Sequence, residues 1–379
     1  MNRNTHSEMT AFCRRVARED EPFDYIRHMV ESGGITRQQL TQAVCDDHNL
    51  LDSATILQCV DAGLLSRDDL INGGIDHHFI DMLGTIPEDV LPQAGRIDKI
   101  EGDTTEVYFW GIPSSGKTCA LGTILAAARG VTVAKSIRVE SCQGELYQMI
   151  LSQIFKRENA YCTLPGRTTV DTNFAIRAVL EDWERKDHPV TLIDMAGELF
   201  CSILWQDKGL VDNITDNHRN ALEEFKKILV TNKSNNPKYH FFILEYCEEE
   251  KKYKGFDQDT YLEYGLRYLD KTGVLNDANN GVFVLVTKTD LVRYNVEEGV
   301  DANQYLLDFL NERYPNFFAL INSHCERTGM CGGRFPAPIP FDIGEVCFKN
   351  YCQVKTERAK RVVEILMTPP PEKKKWWKF

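Results

Sequence analysis

Several absences narrow what this sequence can encode. Its twelve cysteines include no CxxC pair. The nearest cluster, His324-Cys325 with Cys331 and then Cys347 and Cys352, lacks the short paired spacing of a structural zinc site. Buried free thiols in a reducing, cytoplasmic setting are expected. The opening residues Met1-Asn2-Arg3-Asn4-Thr5 form no apolar signal core, and no apolar run approaches the ~20 residues that a membrane-spanning helix needs. Positive charge is in deficit, with 44 Lys and Arg against 56 Asp and Glu for a net charge of −12. That balance argues against a general positive field for nucleic acid or anionic lipid, so any such contact must be local and no nucleic-acid partner is expected.

A chain of 379 residues has room for one large or two modest domains. Residues 12–83 carry apolar positions at helical spacing and no strand-like alternation, which predicts an all-α N-terminal domain over 1–83. Within it, Gly33-Gly34-Ile35-Thr36-Arg37-Gln38-Gln39-Leu40 recurs as Gly63-Leu64-Leu65-Ser66-Arg67-Asp68-Asp69-Leu70. In each copy a Thr or Ser can cap a helix, and Gln39 or Asp69 can reach back to it. Either this is a duplicated helical hairpin or two capped helix starts resemble each other by chance. Pro87, Pro92, Gly95 and Gly102 interrupt residues 84–104, the expected linker.

From 105 to 367 strands and helices alternate. Strands are expected at 106–110, 131–139, 174–182, 190–193, 240–245 and 282–286, and helices from 116 and near 145–155, 219–230, 260–269, 304–313 and 357–367. This alternation predicts an α/β domain with a mostly parallel sheet and helices on both faces.

The sharpest motif is Gly111-Ile112-Pro113-Ser114-Ser115-Gly116-Lys117-Thr118, which matches GxxxxGK[ST] between the apolar strand Val107-Tyr108-Phe109-Trp110 and an Ala- and Leu-rich helix. Its glycines let backbone wrap a phosphate, Lys117 neutralises β and γ oxygens, and Thr118 offers a hydroxyl to Mg²⁺. Two later apolar strands run into Asp194-Met195-Ala196-Gly197 and Thr287-Lys288-Thr289-Asp290. Ligands in such sheets sit beyond the carboxyl ends of the strands, where both segments fall.

These segments resemble the DxxG and [NT]KxD motifs of the Ras-like P-loop GTPases and their wider TRAFAC clade. Thr169-Val170-Asp171-Thr172-Asn173-Phe174, opening an expected antiparallel hairpin that leads to Asp194, resembles their first switch, with Thr168 as the rival threonine. The resemblance covers about residues 105–367. It implies a GTPase-like fold with GTP or GDP as ligand and Mg²⁺ as cofactor. The nucleotide would be held by Gly111, Pro113, Ser114, Ser115, Gly116, Lys117, Thr118, Gly197, Thr287, Lys288 and Asp290. Asp194 would reach Mg²⁺ through water, with Thr118 and Thr169 as ligands. Gly197 would sense the γ-phosphate, Asp290 would read the guanine edge, and Lys288 would stack over the ring. Lys117, Glu198 and Thr169 are the catalytic candidates.

The departures concern hydrolysis more than binding. Pro113 stands where Ras-like proteins usually have Gly, and Glu198 where they have Gln. A carboxylate beside a γ-phosphate is electrostatically costly, so slow intrinsic turnover is expected. Arg167 can supply charge in cis as an arginine finger does, or be a solvated loop residue. A strand and helix at about 131–162 are inserted before the switch threonine. Phe341-Asp342-Ile343-Gly344 falls near the expected position of the ring-covering motif. With its helical N-terminal domain, the chain resembles the bacterial double-GTPase families of conflict systems more than eukaryotic switches.

The tail at 368–379 joins Pro369-Pro370-Pro371 to Lys373-Lys374-Lys375-Trp376-Trp377-Lys378-Phe379. Three uses are open to it: a solvated end, a peptide docking into a partner, or, least favoured, a membrane-surface contact. The expected function is a GTP-dependent switch engaging a protein effector through the helical domain or the tail. The alternatives are a P-loop ATPase of another clade and a nucleotide-binding scaffold without turnover.

Overall fold

The computed structural model describes residues 11–16, 21–85, 97, 99–140, 144–166, 168–170, 173–231, 234–247, 252–275, 280–294, 301–330 and 337–368. Arg167 and the cationic aromatic tail therefore lie outside the described residues, as does most of the expected linker. The chain divides into two compact units. One comprises 1–89, 159–164 and 344–354, and the other 90–158, 165–343 and 355–379.

The first unit contains α1 (Pro22–Glu31), α2 (Arg37–Asp46), α3 (Ser53–Asp61), α4 (Arg67–Asn72) and α5 (His77–Asp81). The repeat seen in the sequence has a structural counterpart. Ser32 N, Gly33 N and Ile35 N bond to His28 O, Val30 O and Met29 O; thirty residues on, Ala62 N, Gly63 N and Leu65 N bond to Gln58 O, Val60 O and Cys59 O. Gly33 and Gly63 take φ values of 77° and 67°, the left-handed geometry that ends a helix at a glycine. The copies differ at the next helix start. Thr36 and Gln39 close a full capping box on α2, whereas Ser66 only accepts from Asp69 N on α4.

The unit is not all-helical, which corrects the expected domain content and boundaries. The strands β3 (Tyr161–Thr163), β9 (Gly344–Cys347) and β10 (Tyr351–Val354) form an antiparallel sheet in the order β3-β10-β9. Their sequence lies within the region expected to belong wholly to the α/β domain. Apolar burial explains the placement: Cys347, Phe348 and Tyr351 are fully buried in one cluster with Leu40, Ile56, Leu70 and Phe79. Asn350 Oδ1 accepts from Ser53 N and Oγ at 3.2 and 3.0 Å, and Phe348 N donates to His48 O.

The second unit is α/β, with a mostly parallel seven-stranded sheet. In chain order its elements are β1 (Thr105–Trp110), α6 (Lys117–Arg129), β2 (Ser136–Val139), α7 (Glu145–Ile154), β4 (Phe174–Glu181), β5 (Asp187–Asp194), α8 (Gly197–Asp207), α9 (Asp216–Lys226), β6 (Lys238–Glu245), α10 (Gln258–Lys271), β7 (Gly281–Thr287), α11 (Ala302–Arg313), α12 (Pro315–Thr328), β8 (Ile339–Pro340) and α13 (Glu357–Met367). The strand order is β2-β4-β5-β1-β6-β7-β8. The run from β5 to β8 is parallel, while β4 pairs antiparallel with β5 and β2 with β4. The hairpin expected before Asp194 is thus present. The strand expected at 131–139 is shorter, because Val131 is exposed with φ 55° and its neighbours turn.

β6 is buried at every position, as a strand covered on both faces must be. Alternation along β1 sends Tyr108 and Trp110 into a core with Leu199, Leu204 and Leu266, and Val107 and Phe109 to the opposite face. The helices pack accordingly in two sets, α6 with α7 and α13, and α10 with α8 and α12. The carboxyl ends of β1, β5, β6, β7 and β8 all open at one end of the sheet, where the strand order reverses about β1.

Candidate functional site

The turn from β1 into α6 is built for close backbone approach. A Cβ on Gly111 would lie 2.8 Å from Ser115 Oγ and 3.0 Å from Ile243 O, so a larger residue would push the loop off β6. Ser114 and Gly116 have φ of 63° and 87°, and Gly116 is the N-cap of α6. Ser115 Oγ closes the loop on Ile112 O at 2.9 Å. Inside the curl lies Lys117, 5% exposed, with Nζ 3.0 Å from Gly111 O and 2.7 Å from Ile112 O. A buried ammonium held by neutral carbonyls at a helix N-terminus is well placed to receive an anion.

At the end of β5, Asp194 is buried, and its Oδ2 accepts from Thr118 Oγ1 at 3.0 Å and from Tyr147 OH at 2.5 Å. Burial is the largest influence on this carboxyl and raises its pKa; the Tyr147 bond, the Lys117 charge and the Thr118 bond act against it. A hydroxyl and a carboxylate 3.0 Å apart beside the phosphate loop form a hard-oxygen donor set that fits Mg²⁺. Thr118 would ligate the ion, and Asp194 would accept from one of its waters.

Thr169 is exposed, and Asn173 links its segment to Asp194-Met195-Ala196-Gly197: Nδ2 donates to Val170 O at 3.1 Å, and Oδ1 accepts from Ala196 N at 3.4 Å. Gly197 begins α8 hard against the phosphate loop. A Cβ there would stand 2.3 Å from Pro113 N and 2.4 Å from Ile112 C. Pro113 and Gly197 are therefore in direct apposition. Glu198 is turned toward α9 and the 253 region, accepting from Tyr253 OH at 3.1 Å and lying 3.7 Å from His218 Nε2.

The Thr287–Asp290 segment stands at the end of β7. Thr287 is buried, and its Oγ1 donates to Ser115 O at 2.8 Å, tying this segment to the phosphate loop. Lys288 takes φ 61°, and its Nζ lies 2.5 Å from Oε1 of the buried Glu245 at the end of β6. Asp290 is half-buried in the 3₁₀ turn that follows. Phe341, just past β8, donates from its N to Val286 O and accepts from Thr289 N. The segment beginning Phe341-Asp342-Ile343 thus runs beside the Thr287–Asp290 turn.

No protein-family model matches this sequence, and no curated protein is significantly similar to it. The site therefore rests on its own geometry.

That geometry gathers the phosphate loop, Asp194, Gly197 and the Thr287–Asp290 turn at one end of the sheet. The Glu198 carboxylate accepts from Tyr253 OH, and its other oxygen lies 3.7 Å from His218 Nε2. Four residues escaped sequence reasoning: Tyr147, Asn173, Glu245 and Tyr253. Glu245 had a signal, an acid ending an apolar strand at the site end of the sheet. Tyr147 had none, because its partner lies 47 positions away.

Proposed function

We propose that the chain binds a guanine nucleotide with Mg²⁺, hydrolyses GTP slowly, and acts as a nucleotide-dependent switch for a protein partner. The observation that carries this reading is the Thr287 Oγ1 to Ser115 O bond of 2.8 Å, which joins the candidate base reader to the phosphate loop. A Thr-Lys-x-Asp turn in an incidental surface loop has no reason to be pinned there. The antiparallel β4–β5 hairpin feeding Asp194 supports assignment to a Ras-like P-loop fold.

In this reading Lys117 and the loop amides hold the phosphates, Thr118 and Asp194 hold the metal, and Asp290 bonds the guanine edge while Lys288, fixed by Glu245, lies over the ring. Phe341 to Ile343 supply the remaining side of the base pocket. The Tyr253 bond to Glu198 supports slow turnover, because a base or water-positioning residue must first leave that partner.

Chain connectivity supports a switch. Thr169 follows β3 by six residues, and β9 directly follows Phe341-Asp342-Ile343. Both β3 and β9 belong to the helical unit. Each candidate nucleotide-facing segment is thus joined to a strand of that unit by a short stretch of chain, the route by which a nucleotide-dependent change would reach it.

Asp290→Asn tests the base. GTP affinity should fall and XTP affinity should rise, whereas unchanged ATP binding with no GTP preference in the parent chain points to an ATPase. A single-turnover assay with excess protein tests hydrolysis. No phosphate release over hours, with or without partners, leaves a nucleotide-binding scaffold.

A further inference from the structure

We infer that Tyr147, on the helix inserted between the phosphate loop and the switch threonine, is a positioning residue of the metal centre that fixes the Asp194 carboxylate for a metal-bound water. This inference rests on the Mg²⁺–nucleotide reading above.

The hydroxyl is not a casual neighbour. Tyr147 is fully buried, and its OH lies 2.5 Å from Asp194 Oδ2, the oxygen that also accepts from Thr118 Oγ1 at 3.0 Å. Thr118 can keep donating to that oxygen while a lone pair of its own oxygen ligates a cation. With two donors on Oδ2, the carboxylate plane is set, and Oδ1 is the oxygen left to accept from a metal-bound water. A carboxylate held by one hydroxyl can still rotate about its Cβ–Cγ bond; held by two, it is oriented before the metal arrives.

The position of Tyr147 is set independently of any ligand. Its ring stacks on Phe174 with centroids 4.4 Å apart and an interplanar angle of 18°. Phe174 is itself the residue paired with Asp194 in the β4–β5 ladder. Helix α7 can press this close because Gly144 precedes it: a Cβ there would sit 2.2 Å from Ala175 O. Buried and stacked, the phenol is a fixture and not a gate that must swing aside.

The test uses the full chain loaded with GDP carrying a fluorescent N-methylanthraniloyl group. The Mg²⁺ concentration that half-maximally slows its release should rise about 10- to 100-fold in Tyr147→Phe. Release in excess EDTA should stay within about twofold of the parent, because the phenyl ring keeps the packing. Mn²⁺ binding to the GDP-loaded chain, followed by electron paramagnetic resonance, should weaken in parallel. Phe174→Leu keeps the hydroxyl but loosens the ring that holds it, so its Mg²⁺ midpoint should rise by less than that of Tyr147→Phe. A midpoint in Tyr147→Phe that is unchanged or lowered, or an equal rise in both variants, overturns the inference and leaves the nucleotide site standing. A parent chain that holds no labelled GDP, or releases it at a rate blind to Mg²⁺, overturns the nucleotide reading and this inference with it.

Discussion

Lys117 and Lys238 are both buried, and they stand at opposite ends of the same sheet. Lys238 opens β6 and is 1% exposed, with Nζ 3.5 Å from a carboxylate oxygen of Glu106, itself 1% exposed. Ser234 O and Asn236 O accept from the same ammonium at 3.1 and 3.0 Å, while Tyr108 OH and Ser234 Oγ donate to Glu106. The cluster is neutral and internally satisfied. Lys117, just beyond β1, is held by the carbonyls of Gly111 and Ile112 in a glycine-bounded loop. Burial alone therefore does not mark a functional lysine. Lys238 is matched to a carboxylate of its own cluster, whereas Lys117 lies inside a loop at a helix N-terminus, where an anion can be received.

Exchanging the two lysines for neutral residues should separate these roles, with the largest effects expected here. Lys117→Ala should reduce nucleotide binding below detection by fluorescence titration, yet cost only about 1 kcal/mol in urea unfolding without nucleotide. Lys238→Met should do the reverse. It strands Glu106 without its counter-charge, and breaking a buried pair costs about 3–5 kcal/mol, while nucleotide affinity of the folded fraction should hold. Adding Glu106→Gln to Lys238→Met should recover much of the loss, since buried pairs replaced as a whole are often near neutral. A Lys238 variant that lost affinity as severely as Lys117→Ala would break the distinction.

Gly197→Ala sharpens the comparison at the phosphate end. The new methyl would fall 2.3 Å from Pro113 N and 2.4 Å from Ile112 C, both main-chain atoms, so the loop or the start of α8 must shift. We expect a loss of about 1–3 kcal/mol in unfolding, of the size seen for overpacking. The response to GTP over GDP, read by tryptophan fluorescence or limited proteolysis, should be blunted more than affinity itself. A response equal to the parent's would mean that Gly197 does not couple to the loop.

How much of this was legible in the sequence depended on whether a signal was local. The tight turn at 111–118 was legible because its eight residues carry their geometry in their own order, and β1, β6 and β7 because buried strands read as apolar runs. Helix α8 was missed because Leu199 to Trp205 are buried on all sides, which leaves no polar face to set a 3.6-residue period, and because no side chain caps its start. The β3-β10-β9 sheet was missed because its strands are three or four residues long and Thr163 finds its partner at Tyr351. The same remoteness hid the Tyr147 bond to Asp194, whose two residues are joined only when α7 packs against β4.

The helical unit supplies a half-exposed counterpart to the two buried lysines, with the smallest expected effect. Asp76 caps α5 and accepts from His78 N at 2.9 Å, and its side chain is bonded by Tyr161 OH and by the His78 ring. Burial works to raise its pKa, but the Tyr161 and His78 hydrogen bonds win and hold it at about 2, below the ordinary 3.8. Because the folded pKa is depressed, the stabilisation is present above pH 3.8 and is lost as pH falls through about 2. With Asp76 at 36% side-chain exposure, solvent screening keeps that contribution below about 1 kcal/mol. Tyr161→Phe removes one donor, so protection of the His78–Asp81 amides in hydrogen exchange should begin to fall at a higher pH than in the parent. The effect should be confined to the helical unit, because Tyr161 and Asp76 both belong to it. Loss of protection along β6 over the same pH range would show that the response is not local to Asp76.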